Sequence, residues 1–162
     1  MIDALLHNLY TVYVLLIDRS FSDAFIKVFL NIVMCREFNE FKLLIKHIQI
    51  FAFLLLKLEK RMEAVRVYEF LRDLTEDTQQ NSVAMDVYLQ LGKLLQEHGE
   101  YEKAIVCFKK LLQIAWYEDN MLMETRAYEC LSLQHFYLQQ ISKANFYQDR
   151  AFRGKLERET SC

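Results

Sequence analysis

Four histidines and four cysteines are the residues of this chain best suited to act as general bases, metal ligands or nucleophiles. They are His7, His47, His98 and His135, with Cys35, Cys107, Cys130 and Cys162. Their spacing assembles no chemistry: no histidine stands in an HExxH helix or beside a cysteine at ligand spacing, and no CxxC pair occurs. His135 lies in an apolar stretch, where a satisfied core histidine is the ordinary outcome. Cys107 and Cys130 also fall among apolar residues, whereas a reactive thiol needs an electropositive, exposed setting. The acidic neighbours Glu118 and Asp119, and Glu157 with Glu159, lack a facing partner in the pattern and read as solvated charge. Glycine occurs only as Gly92, Gly99 and Gly154, too scattered for a phosphate-cradling loop. The pattern points away from an enzyme and from any metal or cofactor site.

Composition narrows the partner classes. At 162 residues and 53% hydrophobic content, the chain has material for one domain with a sizeable core. Twenty basic against 22 acidic residues, net −2, leave no basic stripe for nucleic acid. The most apolar stretch, Leu43 to Leu56, is interrupted by Lys46, His47 and Gln49, short of the ~18 apolar residues that a membrane span requires. The start lacks the basic region and small-residue cleavage site of a secretory leader. Cysteines without a disulfide framework imply a reducing, intracellular and cytoplasmic setting.

The elements that must position these residues are helices. Proline is absent, so the turn chemistry of β-sandwiches and barrels is almost missing. Apolar periodicity predicts eight helices, over roughly 2–18, 21–36, 38–58, 61–76, 80–98, 101–118, 120–138 and 141–156. The chain also repeats itself: four similar stretches, beginning at Ser20, Glu59, Gly99 and Gln140, carry Ala24, Ala64, Ala104 and Ala144 at a constant spacing of 40 residues.

In the third repeat, Tyr88, Leu91, Gly92, Leu95, Gly99, Tyr101, Ala104, Phe108 and Leu111 stand in the order and spacing of the tetratricopeptide (TPR) pattern. The second repeat keeps Ile48, Phe51, Ala52, Leu55, Ala64, Tyr68 and Leu71 and puts Glu59 at the turn glycine. The fourth keeps Tyr128, Leu131, Ser132, Ala144 and Ala151, with His135 and Gln148 in place of bulkier apolar residues. The first keeps Leu15, Phe21 and Ala24 but has Asn8, Thr11 and Val12 at other signature points. The chain thus resembles the TPR superfamily. Its period exceeds the common one of about 34 residues, as in long-repeat members such as kinesin light chains and LGN-type spindle adaptors. The excess is expected in the stretches Thr75 to Ser82 and Trp116 to Asn120.

The resemblance implies an all-α fold, an α-solenoid of about four TPR-like antiparallel helix pairs in a right-handed superhelix. The expected domain is residues 1–156, with units at about 5–44, 45–84, 85–124 and 125–156. Gly154 reads as a helix stop before a short polar tail at 157–162.

The family's groove positions fall on Lys46, Gln49, Phe53, Leu56 and Lys57 in the second unit. In the third they are Asp86, Leu89, Lys93, Gln96 and Glu97, and in the fourth Arg126, Glu129, Leu133, Phe136 and Tyr137. The clamp that grips chaperone tails is not reproduced. A peptide or amphipathic helix suits this mixed groove. On the first unit the same face carries Leu6, Leu9, Tyr13, Leu16 and Ile17, an apolar N-terminal surface expected to meet a second protein, a second copy, or the preceding repeat of a longer solenoid of which this chain is a part. The implied function is a non-enzymatic adaptor or scaffold subunit of an intracellular, cytoskeletal or ciliary assembly. The alternative is a small regulator or chaperone-like protein that sequesters an exchangeable peptide or helix.

Overall fold

A computed structural model of the chain describes residues 2–37 and 40–160. Among the described residues there are eight α-helices and no strand: α1 Ile2–Ile17, α2 Phe21–Glu37, α3 Phe41–Lys57, α4 Arg61–Asp77, α5 Asn81–Glu97, α6 Tyr101–Tyr117, α7 Met121–Tyr137 and α8 Ile141–Thr160. None of them is long and apolar enough to cross a membrane. The fold is an all-α, TPR-like helical repeat.

From α2 to α7 every helix has 17 residues. Helices begin at Phe21, Phe41, Arg61, Asn81, Tyr101, Met121 and Ile141, so each helix and its link take 20 residues. The long period therefore does not reside in the two stretches where the sequence placed it. It is shared among all helices, about three extra residues or most of a turn in each.

Among the described residues, α1 and α3 to α7 end in the same hydrogen-bonded motif. The amide of Lys60 reaches back to the Leu55 carbonyl at 2.8 Å, and that of Glu59 to Leu56 at 3.1 Å. Glu100 with Leu95, Asn120 with Ala115 and Gln140 with His135 repeat the long bond at 2.8–2.9 Å. This is the Schellman arrangement, which needs one residue in the left-handed region. Gly99 supplies it with φ +77°, but Arg19, Glu59, Gln79, Asp119 and Gln139 adopt φ of 52–59° without being glycine. The residue that closes one helix also opens the next: the carbonyl of Lys60 accepts from Ala64, that of Glu100 from Ala104 and that of Gln140 from Ala144, each at 3.0 Å. At α7, Asn120 adds a side-chain cap, its Oδ1 accepting from the Met123 amide at 3.0 Å.

The chain divides into two compact units, Met1–Leu74 and Thr75–Cys162. In the first, α2 packs against both α1 and α3. Its core joins Val12, Ala24, Val28 and Leu54, flanked by Phe25 and Phe51 with ring centroids 4.8 Å apart. In the second, α5 to α8 pack in succession, and α5 also meets α7. The small positions of its pairs are used differently. Gly92 lies against the Phe108 ring, whereas Ser132 donates from Oγ to the Ala144 carbonyl at 2.9 Å.

Helix α8 runs on to Thr160, past the expected end at 156. Gly154 is not a stop. It lies inside α8, where an added Cβ would come within 2.8 Å of Thr125 Oγ1, so its missing side chain lets α8 approach α7 closely. Most of the expected polar tail is therefore helical backbone.

Candidate functional site

Side chains three, four and seven residues apart share one helix face, so the positions picked from the repeat pattern must line up along α1, α3, α5 and α7. In the first unit they enclose a cleft of about 400 Å³ lined by Tyr13 and Leu16 of α1 and by Lys46, Gln49, Ile50 and Phe53 of α3. This joins two sets that the sequence kept apart, the groove of the second repeat and the apolar N-terminal surface. Phe53 is 42% exposed, and Lys57 Nζ lies 5.2 Å from its ring centroid, a cation held over an aromatic face. Leu56 is half-buried beside it. Leu6 and Ile17 are exposed, whereas Leu9 is buried and belongs to the core.

In the second unit the pattern separates into two surfaces. Lys93, Arg126 and Glu129 are exposed charges whose fields meet at Cys130. Burial pushes that thiol up to about 11, with Lys93 pulling it down, Glu129 raising it and Arg126 lowering it further. The Asp86 carboxyl is also raised, by desolvation, with Arg126 opposing. Gln96 is occupied internally: its Oε1 accepts from Gln134 Nε2 at 2.6 Å, tying α5 to α7. Leu89, expected in the groove, is 4% exposed and is a core residue, because the same face of α5 also packs inward.

Glu129, Leu133 and Phe136 instead line a larger cleft of about 760 Å³ between α7 and α8, shared with Ile141, Phe152 and Lys155. Lys155 Nζ bridges to Glu129 Oε1 at 2.5 Å across it. Tyr137 turns away and stacks on Tyr101 at a centroid distance of 4.9 Å. The α8 members of this cleft escaped the sequence reading, which followed first helices only. Ile141 and Phe152 stand 40 residues after Tyr101 and Leu112, a signal the repeat itself carried.

The titratable residues make one unexpected cluster. His47 is fully buried in α3, with Nδ1 bonded to the Leu43 carbonyl at 2.8 Å and Nε2 facing Asn31 Nδ2 at 3.3 Å. Cys35 Sγ lies 3.7 Å from Nδ1. The Leu43 contact puts the ring proton on Nδ1, leaving Nε2 to accept from Asn31. Burial lowers the His47 pKa and raises that of Cys35. Both groups stay neutral and sealed, so the cluster packs α2 against α3 and presents no nucleophile. In α7, His135 is buried and stacks on Tyr147 at 5.3 Å, with Nδ1 donating to Gln140 Oε1 at 2.8 Å. Among the described residues, no group of three or more His, Cys, Asp or Glu is placed to hold a metal ion.

No family model matches the chain. No curated protein matches it by sequence. Solved structures do match its fold. RapI in its apo form superimposes with a TM-score of 0.86 at 14% identity, covering 99% of this chain and 58% of RapI. The Rap conjugation gene regulator of plasmid pLS20, in complex with the Phr* peptide, gives 0.66 at 17% identity over 90% of this chain and 41% of that one. The TPR domain of Arabidopsis FLU gives 0.63 at 20% identity over 70% of this chain and 94% of the domain. The chain thus spans less than two thirds of the two Rap proteins.

Proposed function

We propose that this protein is a non-enzymatic protein-interaction module that holds a partner peptide or amphipathic helix against its first-helix faces, as an adaptor or scaffold subunit of an intracellular assembly. The observation that carries this is the cleft between α1 and α3, where Lys46, Gln49 and Phe53, chosen by repeat position alone, converge with Tyr13 and Leu16. An apolar floor with a lysine at the rim suits a helix or extended segment bearing hydrophobic anchors and an acidic group. The unbroken 20-residue helix spacing supports reading residues 1–156 as one repeat domain. A cytoskeletal or ciliary setting is carried by the long-period resemblance alone.

A second reading, the peptide-sequestering regulator, is favoured by the likeness to the pLS20 Rap regulator, whose structure contains a peptide. The two differ in kinetics: a scaffold keeps its partner in fixed stoichiometry, and a regulator exchanges it.

Selection of a displayed peptide library on the purified protein tests both. Enriched peptides should lose at least tenfold in affinity on Phe53→Ser or Lys46→Glu, and their dissociation rates separate scaffold from regulator. Failure of the library to enrich, or binding indifferent to these changes, overturns the proposal.

A further inference from the structure

Helix α7 lies on the α5–α6 pair, in contact with both helices. Forty residues later the α7–α8 pair presents the same surface as the cleft of about 760 Å³, and no further helix follows α8 among the described residues. Nor does α8 turn back to cover it. After the second helix of earlier pairs the chain reverses through Gln79 and Asp119, both left-handed, whereas at their counterpart, Glu159, α8 continues as helix to Thr160.

The contacts that α7 makes with its seat show what each position of the cleft receives. Gln134 of α7 donates to Gln96 at 2.6 Å, Tyr137 stacks on Tyr101 at 4.9 Å, and Cys130 lies within the field of Lys93. Cys130, Gln134 and Tyr137 are spaced four and then three residues apart, on one face of the helix. In the α7–α8 cleft the three positions that they meet are all apolar: Leu133 for Lys93, Phe136 for Gln96 and Ile141 for Tyr101. These are 39%, 59% and 51% exposed. The opposite change runs along α8. Ile105, Phe108 and Ala115, buried in α6, become Asn145, Gln148 and Lys155, all exposed. A seat for permanent burial keeps its apolar residues, because polar groups buried without partners cost free energy. An apolar strip beside a polar and charged one is the make-up of an interface that forms and dissolves.

We infer that the α7–α8 cleft receives an amphipathic helix from another protein, seated as α7 is seated on α5 and α6. That helix carries apolar residues at i, i+4 and i+7, against Leu133, Phe136 and Ile141. It also carries an acidic residue in its first turn. Ala115, whose carbonyl accepts from the Asn120 amide at 2.8 Å, lies beside the start of α7, so its counterpart Lys155 lies beside the start of the incoming helix. Lys155 is bonded to Glu129 but is half exposed, and an ammonium has three N–H donors, so it can take a second carboxylate. The dipole of the incoming helix favours an acid at that end as well. The cleft is separate from the one between α1 and α3 and stands whether or not that one binds.

The probe is a labelled 17-residue peptide with the sequence of α7, altered by Cys130→Leu and Gln134→Leu and keeping Glu124 in its first turn. Fluorescence anisotropy with the full chain should show saturable binding, at least about tenfold tighter than that of the unaltered α7 peptide. In the protein, Leu133→Lys with Phe136→Gln copies Lys93 and Gln96 of α5 and should abolish that preference without loss of helical circular dichroism. Lys155→Ala, which copies Ala115, should weaken the probe and reduce the salt dependence of its binding. Phe53→Ser, in the α1–α3 cleft, should leave it unchanged, so failure here and failure of that cleft are read separately. No saturable binding, binding that survives either α7–α8 variant, or loss on Phe53→Ser overturns the inference. So does growth in mass of the protein alone on sedimentation, if the Leu133 and Phe136 changes abolish it, because a second copy would then be the occupant.

Discussion

Gly92 of α5 meets Phe108 of α6 so closely that a Cβ on the glycine would lie 2.5 Å from ring atom Cε1. The ring is fully buried. It cannot swing away without opening the α5–α6 interface, so the two residues are coupled.

Gly92→Ala should therefore destabilise the fold by about 1–3 kcal/mol, the usual cost of overpacking a core. That is larger than the gain of ~1 kcal/mol from removing a mid-helix glycine. Urea denaturation followed by circular dichroism reads the balance. The counterpart Ala52 shows that alanine itself is acceptable at this repeat position, so a neutral result would mean that Phe108 can move.

The left-handed helix ends give a prediction of the opposite sign. Glu59 and Gln139 hold φ of 59° and 58°, a conformation that costs a side-chain-bearing residue about 1–2 kcal/mol. Glu59→Gly and Gln139→Gly should each raise stability by up to about 1 kcal/mol, after the entropy that glycine adds to the unfolded chain. Gly99→Ala should lower it by a similar amount. Melting temperatures of the three variants measure this, and stabilisation by Gly99→Ala would contradict the Schellman assignment.

His47 makes stability depend on pH in a defined direction. Burial lowers its folded pKa below the ordinary 6.5, against the pull of its bond to Leu43. The unfolded chain then binds more protons than the folded one in the window between the lowered value and 6.5. Stability is full above pH 6.5 and falls as the pH drops through that window. Burial lowers His135 as well, so the two act together. Replacing His47 with Gln should flatten the acid limb of a denaturation series between pH 7 and 5, and an unchanged slope would show that His47 does not titrate with unfolding.

Gln134 is fully buried where α1, α3 and α5 carry Val14, Leu54 and Leu94, and its Oε1 has no hydrogen-bond partner. Gln134→Leu removes that orphaned acceptor, and Gln96, which is only half-buried, can turn to water. The expected effect is stabilisation of about 1 kcal/mol, read by urea midpoint. A loss of more than that would show the bond to Gln96 to be the stronger term.

The helices were legible in the sequence because their signals are local and repeated. An apolar stripe every three or four residues and an alanine every 40 locate each helix within a few residues, and with them the TPR-like fold. The direction that the repeat positions share was legible to the same degree, because repeat position sets direction around a helix axis. That reasoning placed Lys46, Gln49 and Phe53 on one wall of a cleft. It could not tell Leu89 from Phe53, since both lie on that face and only the neighbouring helix decides which is covered. Leu9 and Tyr13 of α1 part company for the same reason.

What the sequence by itself determined is the period, the helical class and the absence of recognisable catalytic spacing. Tertiary structure decided the rest. Asn31, Cys35 and His47 lie on two helices joined by a three-residue link, and only the packing of α2 on α3 seals them from solvent as a neutral cluster. Ile141 and Phe152 become a cleft wall only when α8 lies along α7, close enough for Gly154 to touch Thr125. The helix ends took glycine's conformation at Glu59 and Gln139 because Schellman hydrogen bonds and the buried flanks of both helices together outweigh the local preference of those residues. Periodicity travels along the chain and can be read from it, whereas burial is a property of the space between helices.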